Sequence, residues 1–538
     1  MSQRWTRSAP ALLVGLGLAA AVVAVYWPVG GNGFVVYDDG EYVTQNPWVL
    51  GGLTLRGIAW TFTSFHSSNW HPLAWLSHMA DVELFALDPG PHHWVSVGWH
   101  AAATAALFAW LRAATGSLWR SAAVAAVFGL HPLHVESVAW IAERKDVLSG
   151  FFWMLTLVAY TSYARRPGPW RYLAVTVALA AGLLSKPMVV SLPVVLMLVD
   201  LWPLRRMEVD HLSWASVRPL LAEKLPWLAM SAAVCLLTLL AQVGAGATRA
   251  LEALPWSARL ANASVSYVGY LGKALWPWPL AVFYPHPAAA GGLAGWKVAA
   301  SSAALAALTY GAITQARRRP FLTVGWSWFL VTLIPVIGLV QVGSQAMADR
   351  YTYVPLVGVL FAAAWSLPDA SRRPVLRVGI AAVGAAALIA MAGAARAQVA
   401  VWKDTFTLFR HAADVTQGNW IALKNLGVEY FRRGDLASAA RSFEASVEAW
   451  PRDPAAWMNL AAARSALGDH AGAAEAIRSA VRLRPGDVEA WYLLGLEGHL
   501  AGRPEILAEA LERLTALRPE AAQDLIRATG ASVEGPAR

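Results

Sequence analysis

Charge is what this chain has least of. Asp, Glu, Lys and Arg make up 14% of its 538 residues, where an average soluble domain carries about a quarter. That shortage excludes a water-soluble surface over most of the length. Cysteine is scarcer still. Cys235 stands alone, which excludes an intramolecular disulfide, and its place in an apolar run reads as a small buried apolar residue. Such charge as there is leans basic, a formal +9. Arg and Lys fall mostly in short loops between apolar runs, which is a membrane-topology pattern and argues against a nucleic-acid footprint. Tryptophan, by contrast, is abundant at 28 residues, as suits interfacial belts on many helices.

Arg4 and Arg7 precede an apolar run over 9–28 with no clear cleavage site, which reads as an uncleaved first span with a cytoplasmic N-terminus. A long aromatic-rich loop follows over 30–92, with short interfacial helices expected over 53–65 and 72–87. Further spans are expected near 93–113, 119–138, 147–164, 171–186, 187–203 and 226–243. The stretch 261–284, interrupted and followed by Pro277, Pro279, Pro285 and Pro287, is read as re-entrant or interfacial, which keeps Arg317–Arg319 and Arg372–Arg373 on the inner side. Spans near 295–315, 321–341, 352–368 and 376–396 then give about eleven, with the C-terminus opposite the N-terminus.

From Trp402 the composition becomes Ala-rich, charged and amphipathic, and a repeat emerges. Pro451, Pro485 and Pro519 are spaced by 34 residues, as are Gly434, Gly468 and Gly502, and Leu426, Leu460 and Leu494. This is the tetratricopeptide period, with units near 420–453, 454–487 and 488–521. Leu507 and Leu514 replace small residues in the third unit, marking it as degenerate or a cap. Asn425 and Asn459 share a repeat position and suit either an extended peptide backbone or bonding inside their own repeat. The expected fold class is therefore all-α. A polytopic membrane helical bundle over 1–398 precedes a tetratricopeptide-repeat α-solenoid over 399–529, and a disordered tail covers 530–538.

Asp38 and Asp39 stand where the chain leaves the first apolar run. The pair reads either as a solvated turn or helix start, or as a base or metal-binding pair of a membrane-embedded site. Further polar residues gather on the same predicted side: His131, His134, Glu136, Glu143–Asp146, Lys186, Lys273 and Asp349–Tyr351. At such depth they call for a polar cavity. Arg144 and Lys145 also have a plain reading, pairing with Glu143 and Asp146. His131 and His134, split by Pro132, are better read as structural than as zinc ligands. Lys186, between two apolar runs with no adjacent acid, suits a buried anion such as a lipid phosphate, and Arg350 invites the same reading.

Taken together, Tyr37–Asp39, His131–Glu136 with Arg144 and Asp146, Leu183–Pro187, Asp349–Pro355 and the trailing repeats resemble the transmembrane-and-tetratricopeptide-repeat protein O-mannosyltransferase family. That family is similar to the multispan polyprenyl-phosphate-sugar-dependent glycosyltransferases of GT-C fold. The resemblance implies an inverting transferase in which Asp38 or Asp39 is the base. Arg144, Lys186 and Arg350 would bind the donor phosphate, with His131, His134, Glu136 and Asp146 in support. A polyprenyl-phosphate sugar would be the donor, and a divalent metal is left open. The partners expected are the bilayer, the lipid donor and a protein acceptor docking through Asn425 and Asn459, with no nucleic acid. The location expected is a bacterial inner membrane with periplasmic repeats, or an endoplasmic reticulum membrane with luminal repeats. The competing reading is a non-catalytic membrane-anchored repeat scaffold. It is weakened because an anchor needs one or two spans, not a bundle with polar residues along one edge.

Overall fold

Proline opens several of the long helices, among them those starting at Pro72, Pro89, Pro169 and Pro374, because a first-turn residue has no intrahelical use for its N–H. A computed structural model describes residues 2–211, 213–244, 255–340, 343–368 and 373–530. The tail after Thr529 and the Arg372 half of its basic pair lie outside these residues, Gly530 excepted. The chain divides into two units, the second beginning at Thr405 and taking in small pieces near 283–291.

In the first unit the principal helices are α1 (Ser2–Tyr26), α2 (Pro72–Phe85), α3 (Pro89–Thr115), α4 (Leu118–Leu130), α5 (Arg144–Arg165), α6 (Pro169–Ser185), α7 (Trp214–Gly244), α8 (Trp256–Leu275) and α9 (Pro374–Val401). Leu12 and Leu16 on α1, Leu236 and Leu240 on α7, and Val375 and Val383 on α9 are all exposed. Rows of exposed large apolar groups on long helices are the mark of a lipid-facing surface. Among the described residues five helices are long and apolar enough to cross a membrane, and six if the bent pair Leu118–Leu130 and Pro132–Ala139 counts as one span. The expected eleven spans are thus not reached on length. The expected spans near 171–186 and 187–203 turn out as α6, of 17 residues, and a 3-10 turn running into Leu192–Leu201, of 10 residues. Lys186-Pro187 breaks the backbone between them. Pro320–Leu333 and Pro355–Ser366 are likewise short, and they approach so closely that a Cβ on Gly325 or Gly358 would meet the other's carbonyl oxygen.

The second unit is built of helix pairs, α10 (Trp420–Arg432) with α11 (Leu436–Ala449), α12 (Pro454–Ala466) with α13 (His470–Leu483), and α14 (Val488–Leu500) with α15 (Pro504–Leu517), closed by α16 (Pro519–Thr529). The 34-residue glycine period has a backbone cause: Gly434, Gly468 and Gly502 all turn the chain at positive φ, 77°, 82° and 68°. Asp435, Asp453, Asp469 and Asp487 cap the following helices, each accepting a backbone N–H. In the third pair the substituted Leu507 and Leu514 are buried in the same core as Leu525 of α16. Larger side chains are accommodated there because α16 packs against that end of the stack.

Candidate active site

The loop after α1 folds back on itself through Asp39. Its Oδ2 accepts the Val35 N–H at 2.8 Å and its Oδ1 accepts the Ala142 N–H at 2.9 Å, and the residue is 1% exposed. Burial pushes this carboxyl up to about 7, with the two amide donors and Lys145 pulling against it and Asp38 adding to it. With both oxygens engaged, Asp39 clamps the loop to the approach of α5. Asp38 is turned the other way. It is half-buried, takes part in no ion pair among the described residues, and lines a cavity of about 600 Å³. Burial raises its pKa, Glu143 and Glu41 add to the rise, and Lys145 and Arg350 oppose it.

Tyr42 closes the same loop, stacked on His71 and on Trp75 of α2 at 5.5 and 4.7 Å between ring centres. Lys145 Nζ sits 4.4 Å over the Tyr42 ring and 3.0 Å from Glu143 Oε1. Lys186 arrives from the break after α6 and pairs with Asp146 and, at 3.3 Å, with Glu143. Arg350 comes from the turn Asp349–Thr352. Its backbone N–H and guanidinium both bond Glu136, the former at 2.9 Å, and its Nε lies 3.4 Å from Glu143. Lys145, Lys186, Arg350, Glu143, Asp38 and His71 are among the residues that line the cavity, and so are Met188, Val190, Cys235, Leu239, Pro335 and Val336. The lining thus combines a charged cluster with apolar side chains.

Several expected residues stand elsewhere. Arg144 is fully buried and does not line the cavity: its guanidinium bonds Ser96, Ser77 and the His92 carbonyl oxygen, and lies 2.7 Å from Asp81. Lys145 takes the place expected for it. Neighbouring residues on a helix point about 100° apart, and the sequence does not say which of the two faces inward. Glu136 and Asp146 hold Arg350 and Lys186, and Asp146 also accepts the Ser137 hydroxyl at 2.9 Å. His131 bonds the Ala274 carbonyl oxygen at 3.0 Å and the Leu133 N–H at 3.2 Å, His134 bonds the Phe128 carbonyl oxygen at 2.7 Å, and neither lines the cavity. Asn425 donates to the Ile421 carbonyl oxygen of its own helix at 2.8 Å, and Asn459 is partly buried on α12. Cys235 is exposed and not buried, because it lies on a face of α7 that borders the cavity. In the sequence Glu143 reads as a local partner for Arg144 and Lys145, and His71 as one of the polar residues of the first outer loop. Their place in the lining of the cavity becomes visible only once the chain is folded.

The described residues bring together one set with metal-ligand chemistry, His78, Asp81 and His92, outside the cavity. His78 has no hydrogen bond at either nitrogen, and burial lowers its pKa well below the usual value, so it is neutral. Arg144 already supplies the counter-charge to Asp81. A divalent ion would leave that buried site with uncompensated positive charge. The set fits an ion pair flanked by neutral imidazoles better than it fits a metal centre.

Sequence comparisons agree with the motifs. A tetratricopeptide-repeat family model matches residues 424–488. The protein O-mannosyl-transferase Tmtc2 of Drosophila melanogaster is 32% identical over 185 residues, 32% of this chain and 20% of that protein. Over that stretch the chain is similar to the transmembrane-and-tetratricopeptide-repeat protein O-mannosyltransferases. Tmtc1 of the same fly is 30% identical over 216 residues, covering 38% of this chain and 25% of the fly protein, and human TMTC2 is 26% identical over 190 residues, covering 33% and 22%. The matched stretches thus span about a quarter or less of these relatives' length. Among solved structures, ArnT from Cupriavidus metallidurans bound to undecaprenyl phosphate aligns over 88% of this chain and 80% of that one, at 16% identity and a TM-score of 0.33. That likeness is too loose to carry an argument.

Proposed function

We propose that this chain is an integral-membrane glycosyltransferase moving a sugar, mannose by analogy with its relatives, from a polyprenyl-phosphate donor to a hydroxyl of a protein Ser or Thr. The observation that carries the reading is the two-character cavity. A carboxylate with no ion pair among the described residues, three cations and apolar side chains line one space, as an amphipathic lipid phosphate requires. Asp38 is the general base. It takes the acceptor hydroxyl's proton as that oxygen bonds to the anomeric carbon, while the bond from that carbon to the phosphate oxygen breaks and the lipid phosphate leaves with the electron pair. One such displacement inverts the sugar's configuration. Lys145, Lys186 and Arg350 stabilise the charge that grows on the leaving phosphate. The repeats offer a concave helical surface for the acceptor polypeptide, with Asn425 and Asn459 at matching positions. The location proposed is a bacterial plasma membrane with the repeats periplasmic. An endoplasmic reticulum membrane with luminal repeats is the alternative.

Membranes carrying the chain, incubated with radiolabelled polyprenyl-phosphate mannose, should pass label to protein in a form released by β-elimination. Label reaching only lipid, or nothing above membranes that lack the chain, would reject the protein acceptor or the transferase reading respectively. A second expected outcome uses the single cysteine. Because Cys235 is among the residues lining the cavity, saturating polyprenyl phosphate should slow its alkylation by a maleimide by about tenfold or more. An equal rate with and without the lipid would show that the isoprenoid chain lies elsewhere.

A further inference from the structure

Three cations of the cavity share one acid. Glu143 Oε1 lies 3.0 Å from Lys145 Nζ and 3.4 Å from Arg350 Nε, and its Oε2 lies 3.3 Å from Lys186 Nζ. Each cation also has an anchor of its own: the Ala142 carbonyl oxygen at 2.8 Å for Lys145, Asp146 for Lys186 and Glu136 for Arg350. The private anchors hold the three in place, and Glu143 occupies the point where they converge. Among the described residues no other acid contacts all three. Glu143 is 3% exposed and lines the cavity. A carboxylate in that position offers two oxygens to donors that would otherwise address the oxygens of a phosphate. It cannot hold the centre of the cradle while a phosphate is there.

The charge of the two lipids explains the use of such a competitor. A polyprenyl-phosphate sugar is a phosphodiester with one negative charge, whereas the spent lipid phosphate is a monoester carrying about −1.5 to −2 near neutral pH. Without Glu143 the three cations would still outnumber the carboxylates of Asp146 and Glu136, and a cradle of net positive charge would bind product more tightly than donor and slow turnover. We infer that Glu143 is a displaceable positioning residue: it gathers Lys145, Lys186 and Arg350 when the cavity is empty, yields the centre to the donor phosphate, and returns as the spent lipid phosphate departs. The inference rests on the reading of this cavity as a donor-phosphate site. While the cavity is empty the carboxylate also balances the one positive charge that Asp146 and Glu136 leave uncompensated in a poorly solvated space.

The test is the affinity of the purified full-length chain, in lipid nanodiscs, for a polyprenyl monophosphate. The Glu143→Gln variant should bind it about tenfold or more tightly than the parental chain, with a lower kcat, a lower donor KM and stronger product inhibition. A carboxylate that merely supports the fold would give the opposite sign, weaker binding and a KM unchanged or raised. Glu143→Asp, one methylene shorter and unable to reach all three cations, should tighten binding by a smaller factor, and it serves if the Gln variant does not fold. Parental binding without tightening in either variant overturns the role of Glu143 alone. No binding by the parental chain overturns the donor-phosphate reading and this inference with it.

Discussion

Asp38→Asn should lower sugar transfer by about 10²–10⁴-fold, the range that a positioned general base contributes, with little change in thermal stability. Asp38 lines the cavity and takes part in no ion pair among the described residues, so the amide leaves no partner stranded. Asp39→Asn should do the reverse. An amide nitrogen cannot accept the N–H of Val35 or of Ala142, so one buried donor loses its partner, at a cost of about 1–3 kcal/mol. The pH dependence carries the same assignment. A base must be ionised to work, and burial together with Glu143 and Glu41 raises the Asp38 pKa. Activity should therefore be full at high pH and fall as pH drops through that raised value, with the acid limb above the ordinary Asp range of about 4. A pH–rate profile of the parental enzyme, beside turnover and melting curves of both variants, checks this. Parental turnover in Asp38→Asn would remove it from the reaction.

What could be read from the sequence was whatever depended on local rules. The repeats were visible because one backbone requirement, a positive φ after the first helix of each pair, recurs at Gly434, Gly468 and Gly502. The cavity's membership was partly visible, since Asp38, Lys186 and Arg350 are ionisable groups beside apolar runs that have to be received somewhere. The facing of particular side chains was not visible. Arg144 and Lys145 are adjacent, and which of them meets the cavity depends on how α5 is rotated against α2 and α3, a tertiary choice. Glu143 was given no role at the site for a related reason. Its three cationic partners include Lys186 and Arg350, which are distant in sequence, so it looked like half of a local pair. The span count is left unconfirmed for a different reason. Lys186-Pro187 is already the boundary between two expected spans, but hydropathy does not register that the second opens on a 3-10 turn and keeps only the 10 residues Leu192–Leu201 in α-helix.

Arg144→Met should be among the most destabilising single substitutions in the membrane unit, and its effect separates two roles for one residue. Arg144 is fully buried and Asp81 is 3% exposed, with their charged atoms 2.7 Å apart. Removing the guanidinium leaves an uncompensated carboxylate in the interior and takes donors from Ser77, Ser96 and the His92 carbonyl oxygen. Breaking a buried pair from one side costs about 3–5 kcal/mol, whereas removing both charges together is often nearly neutral. The double variant Arg144→Met with Asp81→Leu should therefore regain at least half of the lost stability, and sugar transfer should return with it. If Arg144 held the donor phosphate, the double variant would refold and stay inactive. Melting temperature and transfer rate, measured on the parental chain, both single variants and the double variant, form a cycle in which the coupling term reports the ion pair. Recovery of both readouts would assign Arg144 to the scaffold and leave Lys145, Lys186 and Arg350 as the cations that meet the lipid phosphate.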